Sequence, residues 1–122
     1  MTTLPEPPSD LDRILVDHDR HVTELLLRCR TVILTAMGEA TERVYQGWHG
    51  LGFHHPVAGY VCAVFPGEGS VRVGFEHGHL LSDPDGYLVG AGKQVRYLVV
   101  EAWDRHIADV LTELVAEAIR LG

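Results

Sequence analysis

Apolar side chains in this chain keep two different periods, and the switch between them fixes what it can fold into. Leu11, Ile14, Leu15, Val22, Leu25, Leu26, Cys29 and Ile33 recur at the spacing of one helical face. The period then changes. "ERVYQGW", "GYVCAVF", "SVRVGF" and "QVRYLVV" are short, rich in Val, Tyr, Phe and Trp, and separated by Gly, Pro or Asp clusters, which is the pattern of strands joined by turns. In the third of these, Val71, Val73 and Phe75 alternate with Ser70, Arg72 and Gly74, so one set faces inward and the other outward. The final segment, "DRHIADVLTELVAEAIRLG", returns to helical period through Ile107, Val110, Leu111, Leu114, Ala118 and Ile119.

Local signals set the limits of these elements. Ser9 is a suitable N-cap for the first helix. A continuous helix from Ser9 to Met37 would span roughly 40 Å, long for a domain of this size, so a break is expected at residues 17–19, with Asp19 as a second N-cap. Gly38 supplies the stop. Opposite charges four apart, Arg13 with Asp17, Arg20 with Glu24 and Glu24 with Arg28, mark a solvent-exposed face. Asp104 caps the last helix, and Arg120 complements its C-terminal dipole. "FPGEGS" is a hairpin connection, and the gaps between strands are too short for crossover helices. The expected class is α+β: a largely antiparallel sheet of four to five strands, with N-terminal and C-terminal helices packed on one face. Residues 1–8, with three of the six prolines, read as an extended, poorly ordered tail, and residues 9–122 as a single domain. A chain of 122 residues removes roughly two-thirds of its unfolded surface from water and has no room for a second core.

Seventeen acidic against ten basic residues give a net charge of -7, which disfavours nucleic acid and anionic membranes as partners and favours cations. Lysine occurs once, at Lys93, and the arginines are scattered. There is no basic leader and no apolar run of about eighteen residues, so a cytoplasmic location is expected. Cys29 and Cys62 lie far apart in apolar settings and read as buried free thiols.

The stretch "DPDGYLVGAGKQVR", residues 83–96, invites a phosphate-loop reading that its chemistry does not support. A phosphate loop needs a Ser or Thr after the Lys to hold magnesium and a helix to follow, whereas Gln94 and a β-type run stand there. Five residues separate Gly86 from Gly92, one too many for the phosphate-loop spacing. Asp83-Pro84-Asp85-Gly86 is instead a strong turn former, and the whole stretch reads as a structured connector.

This connector also carries a likeness. With Gly74-Phe75, Gly78, Leu80, Asp83-Pro84, Gly86, Leu88, Gly90, Gly92-Lys93 and Arg96 in "VRVGFEHGHLLSDPDGYLVGAGKQVRYLVV", and with "ATERVYQGWHGLGF" upstream, the chain resembles the YdhG-like family of small bacterial domains from about Leu11 to Leu121. The resemblance implies a frataxin-like fold and a role as an intracellular iron chaperone that binds Fe2+ loosely and uses no organic cofactor. A metal-accepting protein and a second copy of the chain are the partners that fit such a role. No family ligand motif transfers residue by residue.

Two sets of residues have the composition for loose iron binding through carboxylate and imidazole donors. Asp17, His21 and Glu24 fall on one helical face, and Asp109, Glu113 and Glu117 form a row four apart on the last helix, with His106 one turn earlier. Adjacent histidines such as His54 and His55 point to opposite faces and cannot chelate together, whereas His77 and His79 share a face if the backbone is extended. Catalysis lacks a basis: Cys62 sits in a buried strand, and no Gly-x-Ser-x-Gly elbow surrounds Ser70 or Ser82. The second reading is a small anionic-ligand or protein-interaction module, in which Trp48, Tyr45, Phe53, Tyr60 and Phe75 line a pocket beneath the connector with Lys93 and Arg96 at its mouth.

Overall fold

The structure, a computed structural model, describes residues 4–122. The expected α+β architecture is present. A short helix α1 (Asp12–Leu15) and a long one α2 (Arg20–Met37) precede strands β1 (Thr41–Tyr45), β2 (Gly50–His55), β3 (Gly59–Pro66), β4 (Val71–Phe75), β5 (Leu88–Val89) and β6 (Arg96–Val100), and α3 (Arg105–Leu121) closes the chain. The strands form one antiparallel sheet in the order β1-β2-β3-β4-β6-β5, and no helix among the described residues is long and apolar enough to cross a membrane.

The break before α2 falls where the charge cluster at residues 17–19 suggests. Asp19 accepts a hydrogen bond from Val22 N at 2.9 Å, so α2 starts with a satisfied N-cap. It stops at Gly38, whose φ of 75° is the left-handed conformation that only glycine adopts without strain. Asp104 caps α3 in the same way, through Ile107 N at 2.8 Å. Ser9 does not cap: it opens a three-residue 3-10 turn preceded by Pro8, with no side-chain bond to the backbone. Of the three charge pairs expected along the first helical stretch, the structure forms Arg20–Glu24, at 3.2 Å and well exposed.

Six strands stand among the described residues where four to five are expected. β2 is one of the additions, because "GLGFHH" reads as punctuation when its glycines and histidines are counted. Its side chains alternate all the same, Leu51 and Phe53 buried on the helical side and Gly50, Gly52 and His54 on the other. The second is the two-residue β5, formed by the connector where it folds back along β6.

α2 and α3 pack on one another and on the same face of the sheet. Between the layers lie Leu26, Cys29 and Ile33 from α2, Leu111 and Val115 from α3, and Leu51, Phe53, Cys62, Val64, Val71, Val73, Phe75, Leu98 and Val100 from the strands. Both cysteines are free and fully buried there, which pushes the Cys29 thiol up to about 12 and Cys62 further in the same direction. Glu42, on the helical side of β1, forms a bidentate pair with the buried Arg30, with Nε–Oε1 at 2.5 Å and Nη2–Oε2 at 2.9 Å. Arg30 Nη2 also donates to the carbonyl of Pro5 at 2.6 Å. That bond, with Leu4 packed against the core, fastens residues 4–8 to the domain, while the first three residues of the expected tail lie outside the described residues.

Candidate functional site

Among the described residues no helix covers the second face of the sheet, and aromatic rings collect on it. Register assigns that face to Arg43 and Tyr45 of β1, Gly50, Gly52 and His54 of β2, Ala63 and Phe65 of β3, Arg72 and Gly74 of β4, and Tyr97 and Val99 of β6. Tyr60 joins them through an irregularity. Parity with Cys62 and Val64 would turn Tyr60 into the core, but Cys62 pairs with Phe53 while Tyr60 pairs with His54, leaving Val61 as the extra residue of a β-bulge. The bulge returns Tyr60 to the uncovered face.

Glycines let the rings lie against the sheet. A Cβ at Gly50 would stand 2.6 Å from Phe65, one at Gly52 2.6 Å from Tyr45, and one at Gly74 2.9 Å from Tyr97 and 3.2 Å from Phe65. Each ring occupies the space a side chain would have filled. Trp48, carried by the 3-10 turn Gln46–Trp48, stacks on Tyr45 with centroids 4.4 Å apart and planes 19° apart. Its remaining side is turned to Tyr60, 6.2 Å away and tilted by 56°. Across Gly74, Phe65 meets Tyr97 edge-on at 6.5 Å. The outcome is an open cleft of about 430 Å³ bounded by Trp48, Tyr60, Phe65 and Tyr97, floored by Gly74, with Glu76, Arg72 and Val95 at its margins.

Polar groups on this face are ordered by their neighbours. Tyr45 and His54 share a hydrogen bond of 2.8 Å between Oη and Nε2. The guanidinium of Arg43 lies 5.1 Å from the centre of the Tyr45 ring, and that of Arg72 lies 4.8 Å from the centre of Tyr97. Burial raises the Tyr60 hydroxyl above the ordinary phenol range, and nearby Cys62 and Glu76 add to the shift, so Tyr60 stays protonated at any physiological pH.

The expected ligand set is divided by the sheet. Trp48 is 56% exposed and lines the cleft, whereas Phe75 is fully buried on the helical side, as is Phe53. Alternation in "SVRVGF" already implied this, since it places Phe75 with Val71 and Val73. Arg96 is not a free base at a pocket mouth: its Nη1 donates to the carbonyls of Gly92 at 2.6 Å and Val95 at 2.9 Å, bracing the connector. Lys93 is exposed on that connector and does not border the cleft. Phe65, Tyr97, Arg72 and Glu76 line the cleft without being singled out by the sequence pattern. Their outward position follows from the same period-two alternation, given the strand pairing.

The connector itself is built as its sequence suggests. Asp83 accepts from Tyr87 N and Leu88 N at 2.8 Å each, and Gly86, at φ 71°, completes the turn by donating to the Asp83 carbonyl at 3.0 Å.

Nor do the seven expected metal donors converge. His21 donates to the Glu101 carbonyl at 2.8 Å, Glu24 is paired with Arg20, and Asp17 lies in the bend before α2. On α3, Glu117 accepts from the Ser82 amide and hydroxyl at 3.0 Å each, and His106 is hydrogen-bonded to the Tyr87 hydroxyl, so both tie the connector to the helix. Asp109 and Glu113 remain exposed on the helix surface. Among the described residues, no three His, Cys, Asp or Glu side chains form a group that can hold a metal ion. The histidine pairs behave as separate units: His54 faces Tyr45 while His55 Nδ1 accepts from Val57 N and Ala58 N at 3.1 Å, and the rings of His77 and His79 lie 6.5 Å apart. No protein-family model, no curated protein and no solved structure matches this chain.

Proposed function

We propose that this chain is a non-catalytic binding module, YdhG-like and frataxin-like in its arrangement of sheet and terminal helices, that holds a small organic molecule in the cleft of its uncovered sheet face. The observation that carries this reading is the open cleft of about 430 Å³ bounded by Trp48, Tyr60, Phe65 and Tyr97. That volume lies within the range of small-ligand sites, and ring walls with a few polar groups at the margin are their usual lining. Gly74 lets Tyr97 and Phe65 lie against the strand backbone, which sets two of those walls.

A non-catalytic role agrees with the state of the nucleophiles: both thiols are buried and held protonated, and the Ser82 hydroxyl is engaged by Glu117. The anionic ligand of the second reading has less support, since neither Lys93 nor Arg96 lines the cleft. An iron-accessory role has no comparable support, because its donors are dispersed over two helices and largely engaged.

A fragment screen followed by backbone amide and Trp indole NMR tests the proposal. Fragments are expected to shift Trp48, Gly74, Glu76 and Tyr97 together, and the shifts should vanish in Trp48→Ala. Hits that cluster between α3 and the connector, or no hits at millimolar fragment, would refute it.

A further inference from the structure

The cleft is not chemically uniform, and its two ends carry opposite charge. Arg72 and Glu76 are four residues apart on an extended segment, roughly 13 Å at about 3.3 Å per residue. The Arg72 guanidinium is already placed over Tyr97. Glu76 stands at the other end, beside Tyr60, and its carboxylate takes part in no ion pair among the described residues. Trp48 keeps one ring face not stacked on Tyr45, set at an angle to Tyr60, and both rings border the same cleft as the Glu76 carboxylate.

Rings on this face accept cations: Arg43 and Arg72 sit over two of its tyrosines. Trp48, the side chain that binds cations best through its ring, has none of its own among the described residues. A hydrated metal ion or a primary ammonium would lose water and N–H bonds that ring faces cannot replace. A head group with no N–H to satisfy, whose methyls pack on the rings while its charge faces Glu76, loses least. The net charge of -7 draws such a molecule in.

Resting on the cleft being the binding site, we infer that its ligand is a free small molecule bearing a quaternary ammonium head, seated between Trp48, Tyr60 and Glu76.

Trp48 is the only tryptophan left in a Trp103→Phe background, so its emission reports this cleft directly. Choline serves as the probe, 3,3-dimethyl-1-butanol as its uncharged isostere, and a trimethyllysine peptide as the competing source of the same head group. Choline is expected to give a saturable change, with the isostere about tenfold weaker, as cation–π and carboxylate attraction together imply. Glu76→Gln should weaken choline by a similar factor and leave the isostere unchanged. Amide shifts at Gly74 and Tyr97 provide a readout that does not depend on fluorescence. Equal binding of choline and its isostere, or indifference to Glu76→Gln, overturns the inference while leaving a small-molecule cleft in place. Tighter binding of the peptide overturns the small-molecule source. Failure of every probe together with an empty fragment screen removes the cleft reading itself.

Discussion

A Cβ on Gly74 would stand 2.9 Å from Cε1 of Tyr97, so the tyrosine ring rests on the bare backbone of the neighbouring strand, and the cleft exists because of that contact. Gly74→Ala must displace Tyr97 or Phe65, and Gly74→Val fills the floor. Overpacking of this kind costs about 1–3 kcal/mol. Urea denaturation of both variants should show that loss, and NMR should show the cleft-directed fragment shifts reduced in Gly74→Ala and absent in Gly74→Val.

Phe75 and Lys93 separate the core from the connector. Phe75→Ala empties a fully buried site between sheet and helices and is expected to cost about 3–5 kcal/mol, measured by chemical denaturation. Lys93→Ala touches an exposed side chain and should change stability by less than about 0.5 kcal/mol, with cleft binding intact.

Arg30 and Glu42 form a pair whose side chains are only 6% and 8% exposed. Removing one partner leaves a buried charge alone, so Arg30→Ala or Glu42→Ala should each destabilise by about 3–5 kcal/mol. The double variant Arg30→Met/Glu42→Leu removes both charges and should recover most of that loss. Additive losses in the double-mutant cycle would contradict the pairing.

Stability should fall in alkali before any tyrosine-specific chemistry. Cys29 titrates near 9.0 when unfolded and at about 12 when folded, because burial disfavours its thiolate. The folded state therefore holds the extra proton between those values. Its contribution is complete below pH 9 and is lost progressively as pH rises toward 12, at about 1.4 kcal/mol per pH unit for one thiol. Cys62 and Tyr60 act in the same direction. Denaturation midpoints measured from pH 8 to pH 11 should decline, and less steeply in Cys29→Ala.

Period and punctuation alone determined much of this protein. Helical spacing from Leu11 to Ile33 and from Ile107 to Ile119, the caps Asp19 and Asp104, the stop at Gly38 and the Asp83–Gly86 turn are all local consequences of side-chain geometry, and the α+β class follows from them. Tertiary structure decided what spacing cannot encode. "GLGFHH" becomes a strand because Tyr45 and Phe65 cover glycines that would otherwise weaken it, and that cover comes from neighbouring strands. One extra residue at Val61 reverses the face of Tyr60, and no single-strand pattern announces a bulge. Carboxylates and histidines that share a helical face by spacing are dispersed by partners from elsewhere, Glu117 by Ser82 and His21 by the Glu101 carbonyl. A cleft belongs to several strands at once, so its walls become visible only when register has brought Trp48, Tyr60, Phe65 and Tyr97 to one side of Gly74.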